Sequence, residues 1–198
     1  MVREDIDSFI KTIPNNVILV AATKYASIDD MFILLKHGIN NFGENRVDSF
    51  LNKYNELKNE NIIWHFIGHL QRNKCKDIIN KIDILHSLDS LELAKIIEKE
   101  RHDILPTFIE VSINLEENKN GVDYRYLKDF ILKIKEFKKI KIIGLMMMSK
   151  KNSNHDELIN QFKKIKELRN NLEQELNISL PYLSMGMSDD YVEAISQG

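Results

Sequence analysis

Seven short apolar runs, each followed by a helix-patterned stretch, constrain this chain more than any other feature. The runs lie at 17–23, 39–42, 62–67, 84–87, 107–113, 141–148 and 182–187. The first is continuous from Val17 to Ala22 with three β-branched members, Val17, Ile18 and Val20. It reads as a strand of a parallel sheet, buried on both faces. A lead-in helix over 4–12 precedes it, closed by Pro14-Asn15-Asn16. The intervening segments predict helices over about 28–37, 46–58, 73–81, 90–101, 123–138 and 189–197. Leu158, Phe162, Ile165, Leu168, Leu172 and Leu176 mark one face of a longer helix. Punctuation agrees: Ser27 can cap the helix from 28, with Gly38 just past its end, and Pro106 and Pro181 lead into strands.

Right-handed βα units repeated this often close most naturally into a (β/α)₈ barrel, here one domain over 1–198. An open doubly wound sheet is the alternative, but the Gly-x-Gly-x-x-Gly turn of its common dinucleotide-binding form is missing. A barrel needs eight strands and seven are legible. The eighth is therefore expected to be missing from this sequence, with Gly198 where the chain would turn towards it.

Composition enters by exclusion. A net charge of −2 gives no basic field for nucleic acid or an anionic membrane. The single cysteine, Cys75, rules out an internal disulfide framework and suits a reducing compartment. No apolar run approaches the roughly 20 residues of a membrane helix, and the first residues lack a signal-peptide layout. A cytoplasmic protein is expected.

In such a barrel the chemistry gathers at the carboxyl ends of the strands. Those ends supply Lys24, Glu44 and Asn45, Gly68, Ser87, Asn114, Met147 and Ser149, and Ser184 to Ser188. One amine capable of forming an imine thus faces a ring of hydroxyls, amides and glycines. A lysine desolvated there would hold more free amine to attack an aldehyde; a lysine reaching to solvent from a strand end is the plainer reading. In Ser184-Met185-Gly186-Met187-Ser188, Gly186 permits close backbone approach, and the amides of Met187, Ser188 and Asp189 could face a phosphate. Asp189 and Asp190 weigh against an anion, and a simple N-cap by Ser188 fits equally well.

Other candidates carry less. His65 and His69 are four residues apart along a strand that spans about 13 Å over that distance. They read as hydrogen-bonded histidines near a sheet end, and no metal site is expected. Met146-Met147-Met148 reads as barrel packing. Lys74 and Lys76 flank Cys75 and could lower its pKa, but no base or second cysteine accompanies it.

Several blocks together resemble the pyridoxal phosphate homeostasis protein family. They are Thr23-Lys24, Phe42-Gly43-Glu44-Asn45, the long run from Trp64 to Lys74, Asn118-x-x-Gly121, Gly144-Leu145-Met146 and Ser184 to Asp190. They fall in family order along nearly the whole chain. The resemblance implies the alanine racemase N-terminal barrel, a monomer, and pyridoxal 5′-phosphate carried as an internal aldimine on Lys24. It further implies that Asn45, Ser184, Gly186, Met187 and Ser188 line the pocket, with backbone around Gly186 to Ser188 near the phosphate. No settled catalytic reaction goes with the family, only cofactor binding and homeostasis, with transient contact to pyridoxal-phosphate-dependent apoenzymes. An Arg-Ile-Gly-Ser/Thr strand that follows Gly198 in the family is absent here. A racemase of this fold is the rival reading, but it needs a second base from a separate β domain, for which the sequence leaves no room. A cofactor-free Schiff-base aldolase is a third, disfavoured by the position of Lys24 and by the blocks.

Overall fold

The computed structural model describes residues 4–113 and 120–198. Its strands are β1 (Ala21–Ala22), β2 (Asn41–Glu44), β3 (Ile63–Phe66), β4 (Ile84–Leu88), β5 (Leu105–Ser112), β6 (Val122–Asp123), β7 (Ile140–Met146) and β8 (Tyr182–Ser184). All pair in parallel, in the order β1-β2-β3-β4-β5-β7-β8, with the two-residue β6 joined to the far end of β5. Strands that follow one another around the sheet in chain order make a barrel path. A doubly wound sheet would reverse direction at a switch point, so that alternative falls.

The sheet curls strongly. His86 on β4 and Ser184 at the end of β8 approach to 2.7 Å through their side chains. Three strand spacings in a flat sheet would hold them about 14 Å apart. Among the described residues β1 and β8 are the two edges of this open barrel and do not pair with each other.

Helices cover the outside: α1 (Ile6–Thr12), α2 (Ile28–Lys36), α3 (Val47–Glu56), α4 (Cys75–Ile78), α5 (Leu91–Glu100), α6 (Leu127–Ile134), α7 (His155–Leu176) and α8 (Tyr191–Gln197). Strand alternation splits the side chains into two compartments. Outward residues such as Phe42, Trp64 and Phe66 form the apolar layer against the helices. Phe50 of α3 meets Trp64 edge-on, with ring centroids 5.3 Å apart. Such a pair is worth about 0.5–1.5 kcal/mol beyond its buried area. Inward residues include His65, and the barrel interior is partly polar. The expected face of α7 is confirmed, with Leu158, Phe162, Ile165 and Leu172 buried and Leu168 and Leu176 partly so. Ser27 caps α2 in a reciprocal box with Asp30, and Gly38 takes the left-handed conformation just after the helix (φ 81°).

The first strand departs from expectation. Only Ala21 and Ala22 pair, and Ile18 is 57% exposed. The run 17–20 reads as doubly covered because it is aliphatic, yet it lies beside an edge of the sheet with a neighbour on one side only. Met146 and Met147 pack as expected, whereas Met148 is half exposed.

Candidate functional site

The segment ahead of Lys24 is anchored with unusual thoroughness. Thr23 is buried; its N–H donates to Gly43 O (2.9 Å) and its hydroxyl to Glu44 Oε1 (2.6 Å). Glu44 is fully buried at the end of β2. It also accepts from Ser49 Oγ (2.9 Å) and from Lys53 Nζ (2.6 Å), both on α3. The same Lys53 ammonium donates to the Thr23 carbonyl. Three elements thus converge on one buried carboxylate, and the residue held in place is the neighbour of Lys24. Lys24 itself is exposed rather than desolvated, its Nζ 4.8 Å from the centroid of the Tyr25 ring. Expected burial of this amine is not met among the described residues. Nothing in the sequence singled out Lys53, which reads as one more helix lysine until the fold brings it beneath β1.

Asn45 follows Glu44, and its Oδ1 is buried without a hydrogen-bond partner. Ser87 Oγ, at the end of β4, is likewise buried and unpartnered. Leaving such a group unsatisfied costs about 1–3 kcal/mol. Gly68 explains how Asn45 is fixed: a Cβ there would stand 2.3 Å from the Asn45 carbonyl oxygen, so the segment leaving β3 can cross the Asn45 backbone only with glycine.

The loop after β8 is braced by Asp190. Its buried carboxylate accepts from Ser149 Oγ and from the Met187 amide, each at 2.5 Å. The Met187 N–H is therefore spoken for, contrary to the expectation that it faces a phosphate. Asp190, not Ser188, occupies the N-cap position of α8. Gly186 sits at φ 83°, and a Cβ there would come within 2.7 Å of Ala194 Cβ. No acceptor among the described residues takes the amides of Gly186, Ser188 or Asp189.

A row of side chains crosses the barrel interior. His65 contacts Asn41 Oδ1 and His86 at 2.9 Å each, and His86 contacts Ser184 Oγ at 2.7 Å. Burial pulls His65 down to about 4; burial and then the neighbouring His65 pull His86 to about 3, so both rings are neutral. His65 is thus the hydrogen-bonded histidine the sequence suggests, while His69 pairs with Asp89 instead (3.1 Å). Among the described residues no cluster could hold a metal. Glu110, buried on β5, is raised to about 7 by burial and by nearby Asp89. The Cys75 thiol is pushed up to about 12 by burial, with Glu100 and Asp77 adding to it. Its flanking lysines do not activate it.

Lys24 and Asn45 therefore stand at the β1/β2 side of the mouth, and Ser184, Gly186, Met187 and Ser188 at the β8 edge. No hydrogen bond or ion pair joins the two groups among the described residues. A cleft of about 290 Å³ opens elsewhere at the mouth, between His69, Arg72, Asp89 and Gly121, and none of the six lines it. Asn114 and Asn118 lie outside the described residues.

The chain matches the family model of the alanine racemase N-terminal domain over residues 7–197. It is 41% identical over 164 residues to the pyridoxal phosphate homeostasis protein of Aquifex aeolicus, covering 81% of this chain and 72% of that one. The chain belongs to the pyridoxal phosphate homeostasis protein family. Another member, from Synechocystis, is 34% identical across 96% of this chain and 88% of its own length. Among solved structures, PipY of Synechococcus elongatus without pyridoxal phosphate superposes with a TM-score of 0.92 at 28% identity, over 98% of this chain and 93% of that one. The same protein with pyridoxal phosphate bound gives 0.90 at 26% identity, with the same coverage. An alanine racemase from Clostridium difficile shares the fold alone, at 11% identity and a TM-score of 0.77, over 96% of this chain and 50% of that one. Membership of the homeostasis protein family agrees with the parallel barrel path and with the sequence blocks at the strand ends.

Proposed function

We propose that this chain binds pyridoxal 5′-phosphate through Lys24 and serves the homeostasis of that cofactor without a catalytic reaction of its own. The unpartnered, buried Asn45 Oδ1 beside the anchored Thr23-Lys24 segment is the observation that carries the reading: a buried acceptor without a donor suits a polar ligand. The amides of Gly186, Ser188 and Asp189 suit a phosphate in the same way. When bound, the cofactor supplies an aldehyde for a primary amine. Around it, Lys24 offers the amine, and Thr23, Glu44 and Lys53 hold the backbone from which that amine extends. Asn45 and Ser87 offer polar groups at the mouth, and Gly186 shapes the loop that meets the phosphate. Met187 contributes its exposed side chain rather than its amide.

The protein acts as a cytoplasmic monomer and meets pyridoxal-phosphate-dependent apoenzymes only transiently. Among the described residues no helix is long and apolar enough to cross a membrane. The family names of its relatives support homeostasis over racemisation. Titration with pyridoxal phosphate tests the reading: wild type develops a saturable visible absorption band, and a folded Lys24→Ala variant develops none. A saturable band in the variant equal to that of wild type would refute the role of Lys24.

A further inference from the structure

The interior row Asn41–His65–His86–Ser184 has room for one proton in each contact, and the Asn41 amide sets their order. Asn41 Nδ2 donates to Asn40 Oδ1 (3.1 Å), so its Oδ1 is the atom that accepts from His65 Nε2–H (2.9 Å). His65 Nδ1 is then a bare lone pair, and His86 Nε2–H donates to it (2.9 Å). His86 Nδ1 is bare in turn, so the Ser184 hydroxyl donates to it (2.7 Å). One proton lies in each contact, and both rings are neutral Nε2–H tautomers. Phe108 packs on the His86 ring with centroids 4.4 Å apart, which fixes its plane.

We propose that His86 is a positioning residue for the cofactor loop, committing the Ser184 proton to the barrel interior and tethering the end of edge strand β8. Ser184 then meets a ligand only as an acceptor, suited to a ligand hydroxyl or a protonated ring nitrogen. It cannot donate to a phosphate oxygen, and that task falls to the amides of Gly186, Ser188 and Asp189. The tether matters because β8 has only β7 as a strand neighbour among the described residues. His86 gives it a second attachment, three strands away around the barrel. This inference rests on the cofactor-binding reading above, but its proton order does not.

Two measurements test it. In ¹⁵N-imidazole NMR of the cofactor-free protein at neutral pH, both His65 and His86 are expected as Nε2–H tautomers. An Nδ1–H tautomer or an imidazolium at His86 overturns the proposal, whether or not the cofactor binds. In cofactor titration, His86→Leu is expected to bind about tenfold more weakly or worse. His86→Gln, which keeps one donor and one acceptor, is expected to recover to within about threefold of wild type. A folded leucine variant with wild-type affinity contradicts the proposal, as does a glutamine variant that melts like wild type yet binds as weakly as leucine. Should the leucine variant fail to fold, the glutamine variant and the tautomers decide. If wild type takes up no cofactor at all, the binding reading fails while the NMR result still settles the proton order.

Discussion

Replacing Lys53 with methionine tests the anchoring of Lys24 directly. The substitution keeps the length of the side chain and removes its charge from a pair in which Glu44 is 0% and Lys53 11% exposed. Glu44 keeps the hydroxyls of Thr23 and Ser49 but loses its only ion-pair partner among the described residues, and the Thr23 carbonyl loses a donor. Breaking a buried pair from one side costs roughly 3–5 kcal/mol, because a charge is left uncompensated. At about 2–4 °C per kcal/mol for a chain of this size, the midpoint falls by about 6–20 °C. Urea denaturation of wild type, Lys53→Met, Glu44→Gln and the double variant measures the effect. The double variant is expected to cost less than the sum of the singles by about 1–3 kcal/mol, since neither charge is then stranded. A Lys53→Met cost below about 1 kcal/mol, or strict additivity, would refute the claim that this pair fixes the strand end.

Three further outcomes follow from the same geometry. Asn45→Ala removes a buried acceptor that has no partner, so the cofactor-free protein should be as stable as wild type or gain about 1 kcal/mol, while cofactor affinity drops; a loss of stability with unchanged affinity would contradict this. Folded-state values of about 4 and about 3 for His65 and His86 lie below the ordinary 6.5, so the unfolded chain takes up protons first. Their contribution is full above pH 6.5 and falls as the pH drops towards 3, and His86→Gln should flatten that fall in acid denaturation. Glu110 has the opposite sign: raised to about 7 from 4.5, its contribution is present below 4.5 and lost as the pH rises through 7. Glu110→Gln should therefore be more stable than wild type at pH 8, relative to pH 4, by on the order of 1–3 kcal/mol in denaturant melts; an equal difference at both pH values would contradict it.

Much of this fold is written locally. The third strand sits at Ile63–Phe66 and the fourth at Ile84–Leu88 because short β-rich runs flanked by turn residues leave little freedom. Ser27, Gly38 and Ser90 mark helix ends by chemistry that acts over a few residues. The strand-end segment of Lys24 and Asn45 was legible for the same reason. Long-range partners were not. His86 and Ser184 are 98 positions apart, and neither residue type announces the other. The Lys53–Glu44 pair and the capture of the Met187 amide by Asp190 depend on how elements pack. The run 17–20 misleads because aliphatic composition signals burial without saying how many neighbours a strand has.

Lys24 is the lysine proposed to take the cofactor. Incubating the folded protein with a stoichiometric amount of pyridoxal phosphate, reducing with borohydride and mapping peptides by mass spectrometry tests it most directly. One dominant reduced pyridoxyl adduct is expected, on the peptide that carries Lys24. An adduct centred on another lysine, or scattered over exposed lysines with Lys24 no more modified than the rest, would contradict it.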